Sequence, residues 1–208
     1  MATAVIATGV LHEFLPEDFR LIPHSLLVYP LFLLAFLAVL IIGDPGRIDR
    51  ERRWLRITTG LMIGLITLFN ASAAIRLVGG ILRGSSFTDA SDLLIIGAVV
   101  WTTNVITFSL WFWDLDAGGA AARARGSTEI SPAFVFPEMT VPHLVPVTWY
   151  PHYADYLALS FTTAMAFSPT DTLPIRRWAK LMMIAESTIS LAVAALVIAR
   201  AINILPAT

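Results

Sequence analysis

The most constraining feature of the sequence is an uncharged apolar stretch at 25–43, SLLVYPLFLLAFLAVLIIG. A helix needs roughly 20 mostly apolar residues to cross the ~30 Å hydrocarbon core of a bilayer. Three further stretches have a similar length and character, at 57–80, 93–113 and 178–205. Because only helices and closed barrels span a bilayer, the sequence predicts an all-α, polytopic membrane protein with four transmembrane helices.

The composition agrees with a membrane protein and excludes several other classes. Hydrophobic residues make up 57% of the 208 residues and charged residues only 14%, whereas a soluble domain is about 45–50% apolar and about 25% charged. The formal net charge of −1 gives no general reason to bind nucleic acid. The chain has no cysteine, which excludes disulfides and thiolate metal sites. Membrane lipid is therefore an expected partner, and nucleic acid is not.

The predicted spans divide the chain into an N-terminal segment (1–24), a three-helix transmembrane region (25–113), a Pro-rich loop (114–152) and a C-terminal part (153–208). The C-terminal part begins with an apolar, helix-compatible run at 153–166. At 1.5 Å per residue this run reaches only about 20 Å, so it can enter a membrane but cannot cross it. The run predicts a re-entrant half helix, and the alternative is a helix that lies flat on the bundle.

The arginines indicate an orientation. Five of them lie in the short loop 44–56, and short loops rich in Lys and Arg face the cytoplasm. Arg176, Arg177 and Lys180, at the start of the predicted fourth span, agree with this assignment. The sequence therefore predicts a multi-pass protein of the cell membrane with a cytoplasmic loop 44–56 and its N-terminus outside.

The C-terminal part follows a recognisable order of elements. Thr162 and Thr163 lie near the end of the half helix, Asp171 is followed three residues later by Pro174, and a long apolar helix comes next. In this order, residues 155–203 resemble the pore module of tetrameric potassium channels. The whole chain also resembles four-helix bacterial membrane proteins that share the string AFSPTD.

The resemblance implies a homotetrameric ion channel that conducts inorganic ions. It places the pore and filter at Thr162, Thr163, Ala166, Phe167, Ser168, Pro169, Thr170 and Asp171. Four copies of Asp171 would form an acidic ring that favours cations, although the same carboxylate could instead cap a turn. Because 166–170 has no glycine and Pro169 fixes its own φ, the backbone of a potassium filter is not expected, and the predicted selectivity is weak.

Polar residues inside the predicted spans are further candidates. Charged side chains inside a membrane are costly and usually functional, and Glu186 lies within the last span beside small residues at helical spacing. These are candidate pore-lining residues: Glu186, Ser187, Ser190 and Ala194. Close helix packing is the alternative for this stripe. Asn70 and Asn104, in the second and third spans, are expected to hydrogen bond across the bundle.

Catalytic and metal sites are not predicted. The chain has no Gly-x-Ser-x-Gly, no His-Glu-x-x-His and no Gly-rich phosphate loop, so we expect no enzyme, no catalytic residue and no cofactor. Asp114 and Asp116 with His143 or His152 match no metal-ligand spacing, and a solvated helix end is expected there. The alternatives to a channel are a non-conducting structural or accessory protein and a small-solute transporter.

Overall fold

The structure is a computed structural model that describes residues 1–20, 28–43, 53–84, 89–126, 130–141, 143–144, 146, 149–165 and 171–204. Its α-helices are α1 (Ala2–Glu13), α2 (Val28–Gly43), α3 (Arg53–Leu82), α4 (Ala90–Leu115), α5 (Ala120–Ala124), α6 (Pro137–Thr140), α7 (Tyr153–Met165) and α8 (Arg177–Ile204). Short 3₁₀ turns occupy Glu17–Phe19 and Asp116–Gly118. Strands β1 (Phe134–Val135) and β2 (Leu173–Pro174) form an antiparallel pair. The described chain is thus almost entirely helical, as predicted.

Three of the described helices are long and apolar enough to cross a membrane. They cover Trp54–Leu82, Ala90–Gly118 and Arg177–Ile204, and they correspond to the second, third and fourth apolar stretches of the sequence. The first stretch contains α2, an apolar helix of 16 described residues, which is about 24 Å long. The prediction of a helical protein with several membrane-length helices is therefore confirmed.

Helix α4 is the centre of the bundle and packs against α1, α3, α7 and α8. Its side toward α3 and α8 carries buried apolar residues at helical spacing, including Leu93, Ile96 and Val100. At Gly97, α4 and α8 come so close that a Cβ added to this glycine would lie 2.7 Å from Val197 Cγ1. The absent side chain of Gly97 is therefore what allows α8 to approach α4 here.

The N-terminal segment contains a helix that the sequence did not predict. In α1, Val5 is buried and Thr8 donates a hydrogen bond to the Val5 carbonyl at 2.8 Å. The His12 ring packs on Tyr29 of α2 and Phe69 of α3, with centroid distances of 4.4 and 5.4 Å. Helix α1 is thus part of the bundle core, because its small and apolar residues fit between α2, α3 and α4.

The Pro-rich loop folds over one end of the bundle. Phe134 of β1 is fully buried and makes edge contacts with Phe112, Tyr156 and Trp178, at centroid distances of 5.0, 6.4 and 6.1 Å. The Ile175 amide donates to the Ala133 carbonyl at 2.7 Å next to the strand pair. Aromatic packing and this pairing thus attach the loop to α4, α7 and the start of α8.

Candidate functional site

The most unusual group in the bundle is the carboxyl of Glu186. Its side chain is fully buried, although an ionisable residue is costly inside a membrane. Glu186 lies nine residues after Arg177, the first residue of α8, which is about 14 Å along the helix axis. Since a hydrocarbon core is ~30 Å thick, a spanning α8 would hold this carboxyl near mid-depth.

Ser160 of α7 is the hydrogen-bonding partner of this carboxyl. The Ser160 hydroxyl lies in hydrogen-bond contact with Glu186 Oε1 and 2.7 Å from the Val105 carbonyl oxygen of α4. The second carboxyl oxygen, Glu186 Oε2, is buried and has no hydrogen-bond partner among the described residues. One serine therefore joins α7, α4 and α8, and it leaves half of the carboxyl unsatisfied.

A separate row of amides and hydroxyls crosses the bundle beside this carboxyl. The Asn70 amide donates to Asn104 Oδ1 at 3.2 Å, which confirms the predicted contact between the second and third apolar stretches. Asn104 Nδ2 donates in turn to Ser190 Oγ at 2.9 Å and approaches the Glu186 carbonyl at 3.5 Å. Helices α3, α4 and α8 are thus connected by polar groups inside an apolar interior.

A small polar cavity of about 10 Å³ adjoins this row on the α1 side. Its walls include Thr8, His12, Tyr29, Asn70 and Thr103. This is about the volume that a single water molecule needs. Burial lowers the pKa of the His12 imidazole to about 4, with a further contribution from Arg20, so the ring is neutral at physiological pH. Asn70 belongs both to the cavity wall and to the polar row.

The residues at the predicted filter are described only in part. Residues 166–170, which include the candidates Ala166, Phe167, Ser168, Pro169 and Thr170, lie outside the described part of the chain. The Thr162 and Thr163 hydroxyls donate to carbonyls of their own helix, α7. Asp171 is exposed, and Pro174 pairs with Phe134 in the short sheet.

The four candidate pore-lining residues of α8 have different surroundings. Glu186 and Ser190 are fully buried inside the chain, toward α4 and α7. Ser187 is half-buried and donates to the Thr163 carbonyl at 2.9 Å, and Ala194 is half-buried. Two of the four therefore face the interior of the chain itself, whereas the predicted position faces an axis between copies.

A second polar cluster forms around Asp116, where the predicted solvated helix end is wrong. Asp116 is fully buried, and its carboxylate accepts hydrogen bonds from the Tyr156 hydroxyl at 2.5 Å and the Ala133 amide at 2.6 Å. Asp114 is also buried. The reason is that the Pro-rich loop folds back over the end of α4 and excludes water from it.

Arg123 completes this second cluster. Its guanidinium donates to the carbonyl oxygens of Asp116 and Trp113, at 2.5 and 2.7 Å, and lies 4.9 Å from the centre of the Tyr156 ring. Burial lowers the pKa of this guanidinium and raises the pKa of the Tyr156 phenol, so the phenol stays a hydrogen-bond donor. The contacts fix the helix end and the loop, which indicates a structural role.

The turn that builds the second cluster has an unusual backbone. Ala117 has a φ of +46°, and Gly118 and Gly119 follow with φ of +82° and +94°. Residues other than glycine rarely adopt a positive φ, so the Gly-Gly pair is what allows the chain to reverse here.

In the described part of the chain, no three His, Asp or Glu side chains are grouped as metal ligands.

No family model, curated protein or solved structure matches the chain. The likeness of 155–203 to potassium-channel pores therefore stands on the sequence motifs described above.

Proposed function

We propose that this protein moves ions across a membrane and that the ion binds at Glu186 inside each chain. The observation that carries the proposal is the buried carboxyl near the middle of a membrane-length helix, whose Oε2 has no partner among the residues that the structure describes. Ionisable residues in such positions are rare in membrane proteins, and they commonly mark pathways for ions or protons. In this proposal α2 provides a fourth crossing, and the arginines of 44–56 support an N-terminus outside the cell membrane.

The polar row supports passage within a single chain. It runs from Ser190 through Asn104 to Asn70, and from there to the cavity beside His12, and Asn104 also lies 3.5 Å from the Glu186 backbone carbonyl. An apolar bundle without this row would offer an ion no favourable contact between the two membrane surfaces. An ion that moved along this polar row would pass between discrete binding sites, as substrates do in small-solute transporters.

Flux measurements with purified protein in lipid vesicles test this proposal. We expect vesicles containing the protein to dissipate an imposed gradient of protons or monovalent cations. Glu186→Gln keeps the shape of the side chain and removes its ability to ionise, so flux should fall to the level of empty vesicles. Glu138→Gln, the same change on α6 outside the cluster, is the control and should leave flux unchanged. If the wild-type protein conducts no ion, the proposal is wrong.

A homotetrameric channel is the second candidate, and the exposed surface of α8 offers a face that a tetramer could cover. Only 22% of the most apolar 18-residue stretch of this helix is buried inside the chain. Its exposed residues include Leu181, Ile184, Leu191 and Ile198. Such a face contacts either lipid or another copy of the chain. In a tetramer this face would lie beside the segment that contains Asp171, as the potassium-channel resemblance implies.

A homotetrameric channel makes two testable predictions, one on the mass of the particle in detergent and one on the current of an Asp171 variant. The protein in detergent should have the mass of four chains, and Asp171→Asn should reduce cation current, more strongly at low salt. Exposed charges act over a Debye length of only about 10 Å at 0.1 M salt, which is why low salt reveals the effect. Native mass spectrometry and single-channel recording measure the two quantities. A stable monomer that conducts ions would exclude the tetramer and leave the Glu186 site standing.

A further inference from the structure

The hydrogen-bonding groups around Ser160 constrain the protonation state of the Glu186 carboxyl. A serine hydroxyl has one proton to donate and accepts hydrogen bonds through its lone pairs. Ser160 Oγ contacts two oxygen atoms, the Val105 carbonyl and Glu186 Oε1. The carbonyl can only accept, so if Glu186 were a carboxylate, both neighbours would compete for the single serine proton and one contact would be repulsive.

Both contacts are satisfied together in only one arrangement of protons. The Glu186 carboxyl carries a proton on Oε1 and donates it to Ser160 Oγ, while the Ser160 hydroxyl donates to the Val105 carbonyl. In this arrangement each of the three oxygen atoms has a complementary partner. The arrangement accounts for both contacts of Ser160. Among the described residues it leaves only Oε2, a weak acceptor in a neutral acid, without a partner.

In the described part of the chain, the side chain that hydrogen bonds the Glu186 carboxyl is uncharged. Ser160 of α7 contacts the carboxyl itself, while Asn104 of α4 contacts the Glu186 backbone carbonyl and the Ser190 hydroxyl of α8. Two charged side chains of the packed helices have other contacts, since Asp155 accepts from the His152 amide and Arg76 of α3 donates to the Asp18 carbonyl. On α8 itself, Lys180 and Arg200 lie about 9 and about 21 Å from Glu186 along the helix axis. In the described part of the chain, no cation pairs with Glu186, and a carboxylate here would be an uncompensated charge in an apolar interior.

We propose that Glu186 is a proton-binding site and that the ion carried by this protein is the proton. The identity of the ion rests on the proposed function, whereas the proton on Glu186 rests on the geometry alone. Release of the proton breaks the O–H bond of the acid and transfers the proton to a water molecule, which becomes hydronium. The Ser160 hydroxyl then turns from the Val105 carbonyl to the new carboxylate, so this one hydrogen bond between α7 and α4 is lost as the site empties.

Infrared difference spectroscopy of the full-length protein in vesicles tests the protonated state directly. At neutral pH we expect the C=O stretch of a protonated carboxylic acid, with the shift in D₂O that marks an exchangeable proton. Glu186→Gln should abolish this band, and Glu138→Gln should leave it unchanged. Ser160→Ala keeps the acid but removes its acceptor, so the band should move to higher frequency. This variant also tests the assignment if Glu186→Gln proves unstable. If the band is absent at neutral pH or persists in Glu186→Gln, the inference is wrong.

A vesicle experiment separates this inference from the proposed function. A pH-sensitive dye inside the vesicles should report proton entry when a proton gradient is the only gradient present, and Glu186→Gln should abolish this entry. Sodium or potassium flux without proton movement would overturn the proton as the carried ion and leave ion transport intact. The carboxylic acid band without flux of any ion would overturn the proposed function, and the proton on Glu186 would still be established.

Discussion

Replacing Asp116 with alanine is expected to lower the free energy of unfolding by about 3–5 kcal/mol, the range for breaking a buried charged contact. The change leaves the Tyr156 hydroxyl and the Ala133 amide without an acceptor, and each unsatisfied buried donor costs about 1–3 kcal/mol. It also removes the negative charge beside the buried Arg123 guanidinium. Unfolding in detergent, followed by circular dichroism as denaturant is added, measures the effect.

Two further variants make this prediction specific. Asp92 lies exposed in the first turn of α4, so Asp92→Ala should change stability by no more than about 1 kcal/mol, the usual size of a helix-dipole contribution. Asp116→Asn keeps one acceptor oxygen and should fall between the two alanine variants. If Asp116→Ala were as stable as Asp92→Ala, the buried cluster would contribute nothing to folding.

Gly97→Ala is expected to destabilise the protein by about 1–3 kcal/mol, the usual cost of overpacking a well-packed core. The new methyl group would lie 2.7 and 2.9 Å from the two methyl groups of Val197. A valine side chain is restricted in χ1 and cannot easily turn away. Helix α8 would then have to move away from α4. The same denaturant unfolding experiment measures the loss.

A control glycine on another helix and a double mutant test whether the contact between Gly97 and Val197 causes this loss of stability. A Cβ added to Gly60 of α3 meets no atom within 4 Å, so Gly60→Ala should not destabilise the protein and should gain the helix propensity of alanine. Combining Gly97→Ala with Val197→Ala removes the two closest contacts and leaves the Cβ of residue 197 at 3.3 Å. The pair should therefore show a coupling energy of about 0.5–3 kcal/mol. Additive effects in the double mutant would show that the two residues do not touch.

The helical elements were largely predictable from the sequence, because membrane-length apolar stretches have few folds available to them. A short helix was also predicted, at 153–166, and the structure has a helix at Tyr153–Met165; that it re-enters the membrane stays a prediction. Helix α1 was missed, because its mixture of Ala, Val and Thr has no clear apolar face. Its place in the bundle depends on the shape of the gap between α2, α3 and α4, which no local pattern encodes.

The candidate site was predictable only in its components. Glu186, Asn70 and Asn104 were identified because polar residues inside apolar stretches are conspicuous. The contact of Glu186 with Ser160 was not, because a serine on a short helix gives no sign of which neighbour it faces. Asp116 was placed in solvent, since its burial depends on the Ala133 amide, 17 residues later in the chain. Sequence patterns thus indicate which groups are unusual, and tertiary packing decides their partners.

The contact between Asn104 and α8 has a consequence for how the protein is made. Asn104 and its partner Ser190 are separated by 86 residues, whereas Asn70 lies only 34 residues before Asn104. As the chain is synthesised, α3 and α4 can therefore pair early, while the second amide contact of Asn104 must wait until α8 has entered the membrane. Until then, a side of α4 with a free amide donor faces lipid, where unsatisfied polar groups are costly. The late arrival of α8 therefore leaves exposed, for a time, a polar group of α4 that the completed fold buries.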